Sequence, residues 1–567
     1  MYKKLLRKLR KRLNKKYQDI NPEDIFLDST NLPGYEEHRF EGRLEKPMSR
    51  KTFLATKIIF ALIIIALTSK LWVLTVKQGS IYAQVSENNR LEQTIIFANR
   101  GVIYDRNMRE LATNAIKEEN SDFAARLYAP IKGLAHVVGY LKYPLSDREG
   151  IYYEEHYRGR DGVERAYDDL LQGENGLKLR EINVLGKVTS ESVINKPIDG
   201  GPLVLSIDAS LTEVLYKAIE SLAVDKNFTG GAAVLMDVNT GEILALTSFP
   251  EYNQDVLTAG ANYAAINALV NNPSKPFLNR VIGGLYTPGS IIKPIIALAA
   301  LNEKLISPSK QILSTGSITV PNPYDPLKPS VFGDWKAHGW TDMREAIAVS
   351  SDTYFYSISG GFEDQKGLGI ATLDKYFQLF GLMDKTGIEL LGEVNGVIPT
   401  PEWKKEKFDG EIWRLGDTYI TAIGQYGTQM TPINAVRFIS AIANGGKLLT
   451  PSLVSGGGSK PVKRIVEFDI EDWKVVSEGM RESVTYGTSV GLNVPYVKAA
   501  AKTGTAEIGS ARKYVHSWSV GFFPFDFPRY AWAVVMERGP SSNTLGATSI
   551  IRQLFDWMAV NAPEYLE

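Results

Sequence analysis

The chain holds 567 residues, 44% of them hydrophobic, and its 64 basic and 64 acidic side chains balance to a formal net charge of zero. That length supports two or three domains with their own cores, and the balanced charge gives no overall bias toward nucleic acid. Cysteine is absent, which excludes disulfides and thiolate metal sites, and the five scattered histidines form no HExxH motif, which argues against a zinc hydrolase.

Residues 1–16, MYKKLLRKLRKRLNKK, are dominated by Lys and Arg and contain no acid. Leu5, Leu6, Leu9 and Leu13 recur at helical spacing, so the stretch suits either an anionic membrane surface or a solvated basic tail. Residues 53–76, FLATKIIFALIIIALTSKLWVLTV, are long and apolar enough to cross a bilayer. Lys70 is the one charge within the later part of that run, where it can snorkel or meet a partner helix, and Trp72 suits an interfacial position. The basic flank precedes the span, so residues 1–52 are expected in the cytoplasm and everything after residue 77 outside it.

Residues 77–200 alternate short strand-like runs (TIIFA, GVIYD) with charged loops and a helical piece, GVERAYDDLLQG, and carry no catalytic constellation. From residue 201 the texture changes. A strand leads into an amphipathic helix with Asp208 and Ser210 as cap candidates, and GGAAVLMDVNTGEILALTSFP reads as two strands around an Asn239-Thr240-Gly241 turn. These two runs barely alternate, which predicts a sheet covered on both faces. Helices are predicted at 291–302, 367–381, 432–444 and 543–560, with strands at 516–523 and 530–538. Early and late strands around intervening helices predict one α+β domain whose sheet is completed by both ends of residues 201–567.

Three short signals carry chemistry. In YTPGSIIKP, Ser290 and Lys293 lie three apart on one helical face, behind a Pro-Gly turn. Ser290 is then either a helix cap or a nucleophile whose proton goes to Lys293, one turn on. In AVSSDTYFY, Ser350 and Asp352 suit a proton relay or a helix start. In AAAKTGTAE, Lys502 and the hydroxyls of Thr503 and Thr505 can hold a carboxylate, and Gly504 lets a substrate backbone approach.

Their order, Ser-x-x-Lys, then Ser-x-Asp about 60 residues on, then Lys-Thr-Gly-Thr about 150 further, resembles the active-serine set of penicillin-binding proteins and serine β-lactamases. RGVIYDRN, GVERAYDDLLQGENG, GEILALTSFPEYN, SSDTYFY and KTGTAE extend the resemblance to a class B penicillin-binding protein. TGIELLGEVNGVIPTPEWKK and GDTYITAIGQYGTQMTPINA are most similar to the elongation branch, penicillin-binding protein 2.

The resemblance implies a basic cytoplasmic tail (1–52), a transmembrane helix (53–76), a pedestal or dimerisation-type domain (77–200) and a transpeptidase domain (201–567). It implies D,D-transpeptidation of peptidoglycan, in which Ser290 attacks the penultimate D-alanine carbonyl of a D-Ala-D-Ala stem peptide and β-lactams are trapped at the same serine. Lys293 would be the base and Ser350 the relay. Lys502 and Thr503 would hold the substrate carboxylate, Gly504 and Thr505 would line the substrate, and the N–H groups of Ser290 and Thr505 would form the oxyanion hole. Asp352 stands where many relatives have asparagine, a substitution that suits the elongation branch. Some relatives hold a metal near this motif through a cysteine; this chain has none, so no metal and no cofactor are expected. The implied partners are the membrane, a polytopic glycosyltransferase of the shape, elongation, division and sporulation family, and other elongation-complex proteins. The alternatives are a division-type septal paralogue and a β-lactam-binding sensor or hydrolase.

Overall fold

The computed structural model describes residues 49–88, 91–115, 121–182, 188–322, 325, 327–456, 463–509 and 511–567; the basic segment 1–16 lies outside them. The chain divides into two compact units, 1–90 and 91–567.

In the first unit, Ser49 accepts a hydrogen bond from Thr52 N and starts a helix at Arg50, three residues before the apolar run. The helix continues through a π-helical turn, Val73–Lys77. Among the described residues Arg50–Lys77 is the one helix long and apolar enough to cross a membrane, with a mean hydropathy of 2.3 and no buried side chain.

The second unit begins with two small sheets. One joins Leu91–Ile96, Gly176–Ile182 and Val188–Asn195 in antiparallel order. In the other, Leu203–Val204 runs parallel to Ile103–Tyr104, so the strand expected to open the catalytic domain instead completes the pedestal. No gap in packing falls at residue 200. Arg100, Arg126 and Glu164 form a buried ion cluster here, with Nε–Oε distances of 2.5 and 2.8 Å, and Asp168 lies 2.7 Å from Arg100. The expected helix at 162–173 is broken at Tyr167 into Gly162–Ala166 and Asp168–Gln172.

The catalytic part is built on a five-stranded antiparallel sheet. Its strands are β1 (Gly230–Asp237), β2 (Ile243–Phe249), β3 (Ala500–Ile508), β4 (Tyr514–Phe523) and β5 (Tyr530–Pro540). They lie in the order β2-β1-β5-β4-β3, so early and late segments do form one sheet. The Asp237 carboxylate accepts the N–H groups of Asn239 and Thr240, which fixes the turn between β1 and β2.

Six helices flank this sheet or border the site: α1 (Ala209–Lys226), α2 (Lys293–Asn302), α3 (Asp352–Gly360), α4 (Pro432–Ala443), α5 (Ile470–Thr485) and α6 (Thr548–Asn561). Asp208 caps α1 through Ser210 N and Leu211 N, as its position predicted. Within β1, Ala232, Val234 and Met236 join the core shared with α2 and α4, while Ala233 and Leu235 join the one shared with α1 and α6. Both faces are thus covered, which explains why Ala232–Met236 and Ile243–Leu246 are apolar at every position. Between α2 and α3 the chain makes two short hairpin pairings, Ile312–Ser314 with Gly339–Thr341 and Ser317–Val320 with Ser330–Gly333. Their three- and four-residue runs lack an extended alternating pattern, and the sequence did not reveal them.

Candidate active site

Ser290 lies in a 3-10 turn, Gly289–Ile292, that runs into α2. Gly289 takes φ +59°, a region that glycine enters without strain, and its N–H donates to Gly424 O at 3.0 Å. Strand β3 passes close beside this turn. A Cβ on Gly504 would come within 2.6 Å of Pro288 O and 2.9 Å of Ile291 Cγ2, so only glycine permits the approach. Ser290 is half-buried and opens onto a cleft of about 770 Å³ that Ser350, Asp352, Thr503, Gly504 and Thr505 also line. The three sequence signals therefore converge at one cleft.

Behind it stand two lysines, both fully buried. Lys293 Nζ donates to Ser350 O at 2.8 Å and Ser350 Oγ at 3.3 Å, and lies 2.6 Å from Asp352 Oδ1. Among the described residues no hydrogen bond joins it to Ser290, contrary to the expectation from their spacing. The cause is competition: Ser350 and the Asp352 carboxylate claim its donors. Lys502 Nζ donates to Ser350 Oγ at 2.8 Å and to Thr503 O at 2.9 Å. Neither lysine lines the cleft. Burial, with the Lys293 cation beside it, drives Lys502 well below the ordinary lysine value, and Asp352 opposes the shift.

Ser350 joins the two lysines. It is 6% exposed and takes φ +62°, a left-handed conformation uncommon for a residue with a side chain. Its backbone oxygen and hydroxyl face Lys293 while the same hydroxyl faces Lys502. Ser351 follows as the N-cap of α3, its hydroxyl accepting from Tyr354 N.

Four features of the cleft escaped the sequence. Trp335 forms part of its wall, with Nε1 donating to Val349 O at 3.2 Å. Asp334 lies buried behind Trp335. Thr488 accepts a hydrogen bond from Thr503 Oγ1 at 2.7 Å, and its own N–H donates to Ala348 O. The 541–547 loop contributes Ser541, Asn543 and Thr544 to the cleft, and the first turn of α6 contributes Thr548 and Ser549. None sits at motif spacing, and only the tertiary fold brings them together.

Residues 231–556 match the family described as the penicillin binding protein transpeptidase domain, and residues 121–205 match the penicillin-binding protein dimerisation domain. The chain belongs to the penicillin-binding protein transpeptidase family. Within it, the relatives point to the class B, elongation-type branch. Peptidoglycan D,D-transpeptidase MrdA of Acinetobacter baumannii is 32% identical over 75% of this chain and 64% of its own length. MrdA of Escherichia coli K12 is 28% identical over 77% of this chain and 72% of its own length. Alignments to these two thus leave about a third of the relatives' length unmatched. The structure of Pseudomonas aeruginosa penicillin-binding protein 2 aligns with a TM-score of 0.69 at 30% identity, covering 84% of this chain and 98% of that one. Helicobacter pylori penicillin-binding protein 2, from its complex with MreC, aligns at 0.68 and 26% identity, covering 83% and 99%. This chain thus has the family's α+β catalytic fold, and it carries a membrane-compatible helix ahead of it in sequence.

Proposed function

We propose that this protein is a peptidoglycan D,D-transpeptidase that cross-links stem peptides through an acyl-enzyme at Ser290 during cell-wall elongation. One observation carries the reading: Ser290 opens onto a cleft whose wall includes Ser350, and Ser350 Oγ receives hydrogen bonds from both buried lysines.

The chemistry follows from that arrangement. Ser290 Oγ attacks the penultimate D-alanine carbonyl, forming a C–O bond. The N–H groups of Ser290 and Thr505 stabilise the oxyanion, a contribution of roughly 3 kcal/mol per donor. The C–N bond to the terminal D-alanine then breaks, and the departing amine takes a proton. An acceptor amine from a second stem peptide then attacks the ester carbonyl: the new C–N bond forms, the C–O bond to Ser290 breaks, and a proton from the amine returns to Ser290 Oγ. Thr503, Gly504 and Thr505 on β3 align the donor peptide and its carboxylate.

Lys293 is the base that the family resemblance implies. In the resting geometry it is paired with Asp352, whereas the lysine whose proton affinity is depressed is Lys502. The resting proton acceptor is therefore Lys502, reached through Ser350 Oγ, and the same hydroxyl returns the proton to the leaving amine. The Lys293–Asp352 ion pair flanks this path. Lys502 acts behind the cleft rather than on the substrate carboxylate directly.

The basic flank of the span favours a cytoplasmic N-terminus and a catalytic unit outside the membrane. The functional boundaries remain those read from the sequence, 1–52, 53–76, 77–200 and 201–567. The solved relatives include a complex with MreC and a peptidoglycan synthase complex that coordinates polymerization and crosslinking. They support elongation-complex proteins and a polytopic glycosyltransferase as partners here. Relatives named MrdA do not favour the septal, sensor or hydrolase alternatives.

The test is acylation followed by turnover. Fluorescent penicillin is expected to label the wild type and not Ser290→Ala, and the labelled tryptic peptide is expected to contain Ser290. Equal labelling of both proteins would overturn the assignment. Release of D-alanine from a stem-peptide donor only when Ser290 is present distinguishes an enzyme from a sensor.

A further inference from the structure

The Asp334 side chain is fully buried although it lies on the excursion between α2 and α3, outside all three motifs. A buried carboxylate persists only where several donors meet it. Here Oδ2 accepts the hydroxyl of Ser351 at 2.9 Å, the N–H of Thr353 at 3.0 Å and the hydroxyl of Ser314 at 3.2 Å. Oδ1 accepts the N–H of Trp335 at 2.9 Å. Two of these four donors belong to the turn that opens α3, and a third is the backbone N–H of Trp335, whose side chain walls the cleft.

That turn is the one that holds Ser350 in its left-handed conformation. Such a conformation costs free energy and persists where neighbours over-determine it. The Ser351 amide, bonded to Ala346 O at 3.0 Å, restrains the turn from the preceding helix, and Asp334 restrains it from the following one. On the opposite side Lys293 and Lys502 hold Ser350 by its own oxygen atoms.

We propose that Asp334 is a positioning residue for the acylation reaction: its carboxylate clamps the Ser351–Thr353 end of the turn, so that Ser350 Oγ stays between Lys293 and Lys502, and it supplies a second negative charge facing the Lys293 cation. The inference rests on the active-site reading above. The charged and titratable groups around the pair are few. Lys293 on α2 faces Asp352 on α3, Lys502 on β3 and Asp334; Asp334 additionally faces His338, whose Nε2 lies 3.5 Å away. Burial pushes Asp334 up, but the N–H groups of Thr353 and Asp352, the Lys293 cation and the Ser351 hydroxyl outweigh it and leave the carboxyl below its usual range. Asp334 is thus a fixed anion in the working pH range, and the site contains two lysines and two carboxylates.

The experiment is the pH profile of the acylation rate constant with fluorescent penicillin, measured on the full-length protein in detergent for wild type, Asp334→Asn, Asp334→Ala and Ser351→Ala, with melting temperatures recorded alongside. Asp334→Ala is expected to lose about 100-fold in rate, the scale of a displaced catalytic group. Asp334→Asn retains an acceptor and is expected to lose about tenfold, with its acid limb moved to lower pH, because removing a negative charge from this buried site further disfavours the protonated form of Lys502, the proton acceptor. A general structural defect lowers the rate equally at every pH and leaves the limb in place; that result, or rates within about twofold of wild type, overturns the proposal. Should both Asp334 variants fail to fold, Ser351→Ala decides. It removes one donor to the carboxylate, so an unchanged rate overturns the proposal and a loss of about threefold or more supports it. Labelling of Ser290→Ala in the same series would instead refute the active-site reading itself.

Discussion

Lys502 Nζ lies 2.8 Å from Ser350 Oγ, in a site where its own ammonium is disfavoured by burial and by the neighbouring Lys293 cation. In the unfolded chain the same lysine has its ordinary value of 10.5. Between the folded value and 10.5 the unfolded chain binds a proton that the folded chain does not. Stability therefore rises with pH across that window and is lost as pH falls. Lys502→Met removes this penalty. Its melting temperature relative to wild type is expected to gain as pH falls below 10.5 and to lose that advantage as pH approaches 10.5. The same variant is expected to lose about 1,000-fold in acylation rate, the scale of a missing general base.

The ion pair between Lys293 and Asp352 gives a second test. Asp352→Asn removes the partner of Lys293 and an anion that favours protonation of Lys502. The acid limb of the acylation profile is expected to move to lower pH, and the maximal rate to fall by about tenfold. Stopped-flow labelling across the pH range measures both, and an unmoved limb would separate Asp352 from the proton path.

Residues within a few positions of one another made the motifs legible. Ser290 with Lys293, Ser350 with Asp352, and Lys502 through Thr505 each announce themselves locally, as do the apolar span, the Asp208 cap and the strands of the large sheet. The inter-motif geometry was not legible. Spacing along a helix put Lys293 within reach of Ser290, but the acceptors that win it, Ser350 and Asp352, come from the turn that opens α3 and its first residue. Asp334 and Thr488 touch the catalytic turn and strand β3 from segments that carry no motif of their own. The change in texture near residue 200 was legible, but the pairing of Leu203–Val204 back to Ile103–Tyr104 was not, because the two strands lie about a hundred residues apart.

Gly504 tests the contact between β3 and the nucleophile turn. A methyl group there meets Pro288 O and Ile291 Cγ2 at distances no real side chain adopts. Gly504→Ala is expected to destabilise the protein by about 2 kcal/mol. Acylation should fall by about 100-fold as the turn carrying Ser290 shifts. Differential scanning fluorimetry and penicillin labelling report the two effects separately.

In the pedestal, Glu164 is the shared anion of Arg100 and Arg126. Glu164→Gln leaves one anion, Asp168, for two buried guanidinium groups and is expected to cost about 3–5 kcal/mol. Because the cluster lies outside the cleft, the fraction of protein that remains folded should label with penicillin at the wild-type rate. Thermal unfolding combined with labelling of the soluble fraction checks both parts, and a slowed rate in the folded fraction would tie the pedestal to the chemistry.

The strand order carries a consequence for synthesis. Strand β1 pairs on one side with β2, its immediate successor, but on the other with β5, encoded at residues 530–540. A ribosome therefore releases Ser290, both lysines, Ser350, Asp352 and Thr503 before the strand that locks the two halves of the sheet exists. Until then the β1 edge stays open to pairing with other chains, so the newborn enzyme depends on rapid completion of its last segment, and truncations before Tyr530 should yield aggregated rather than partly active protein.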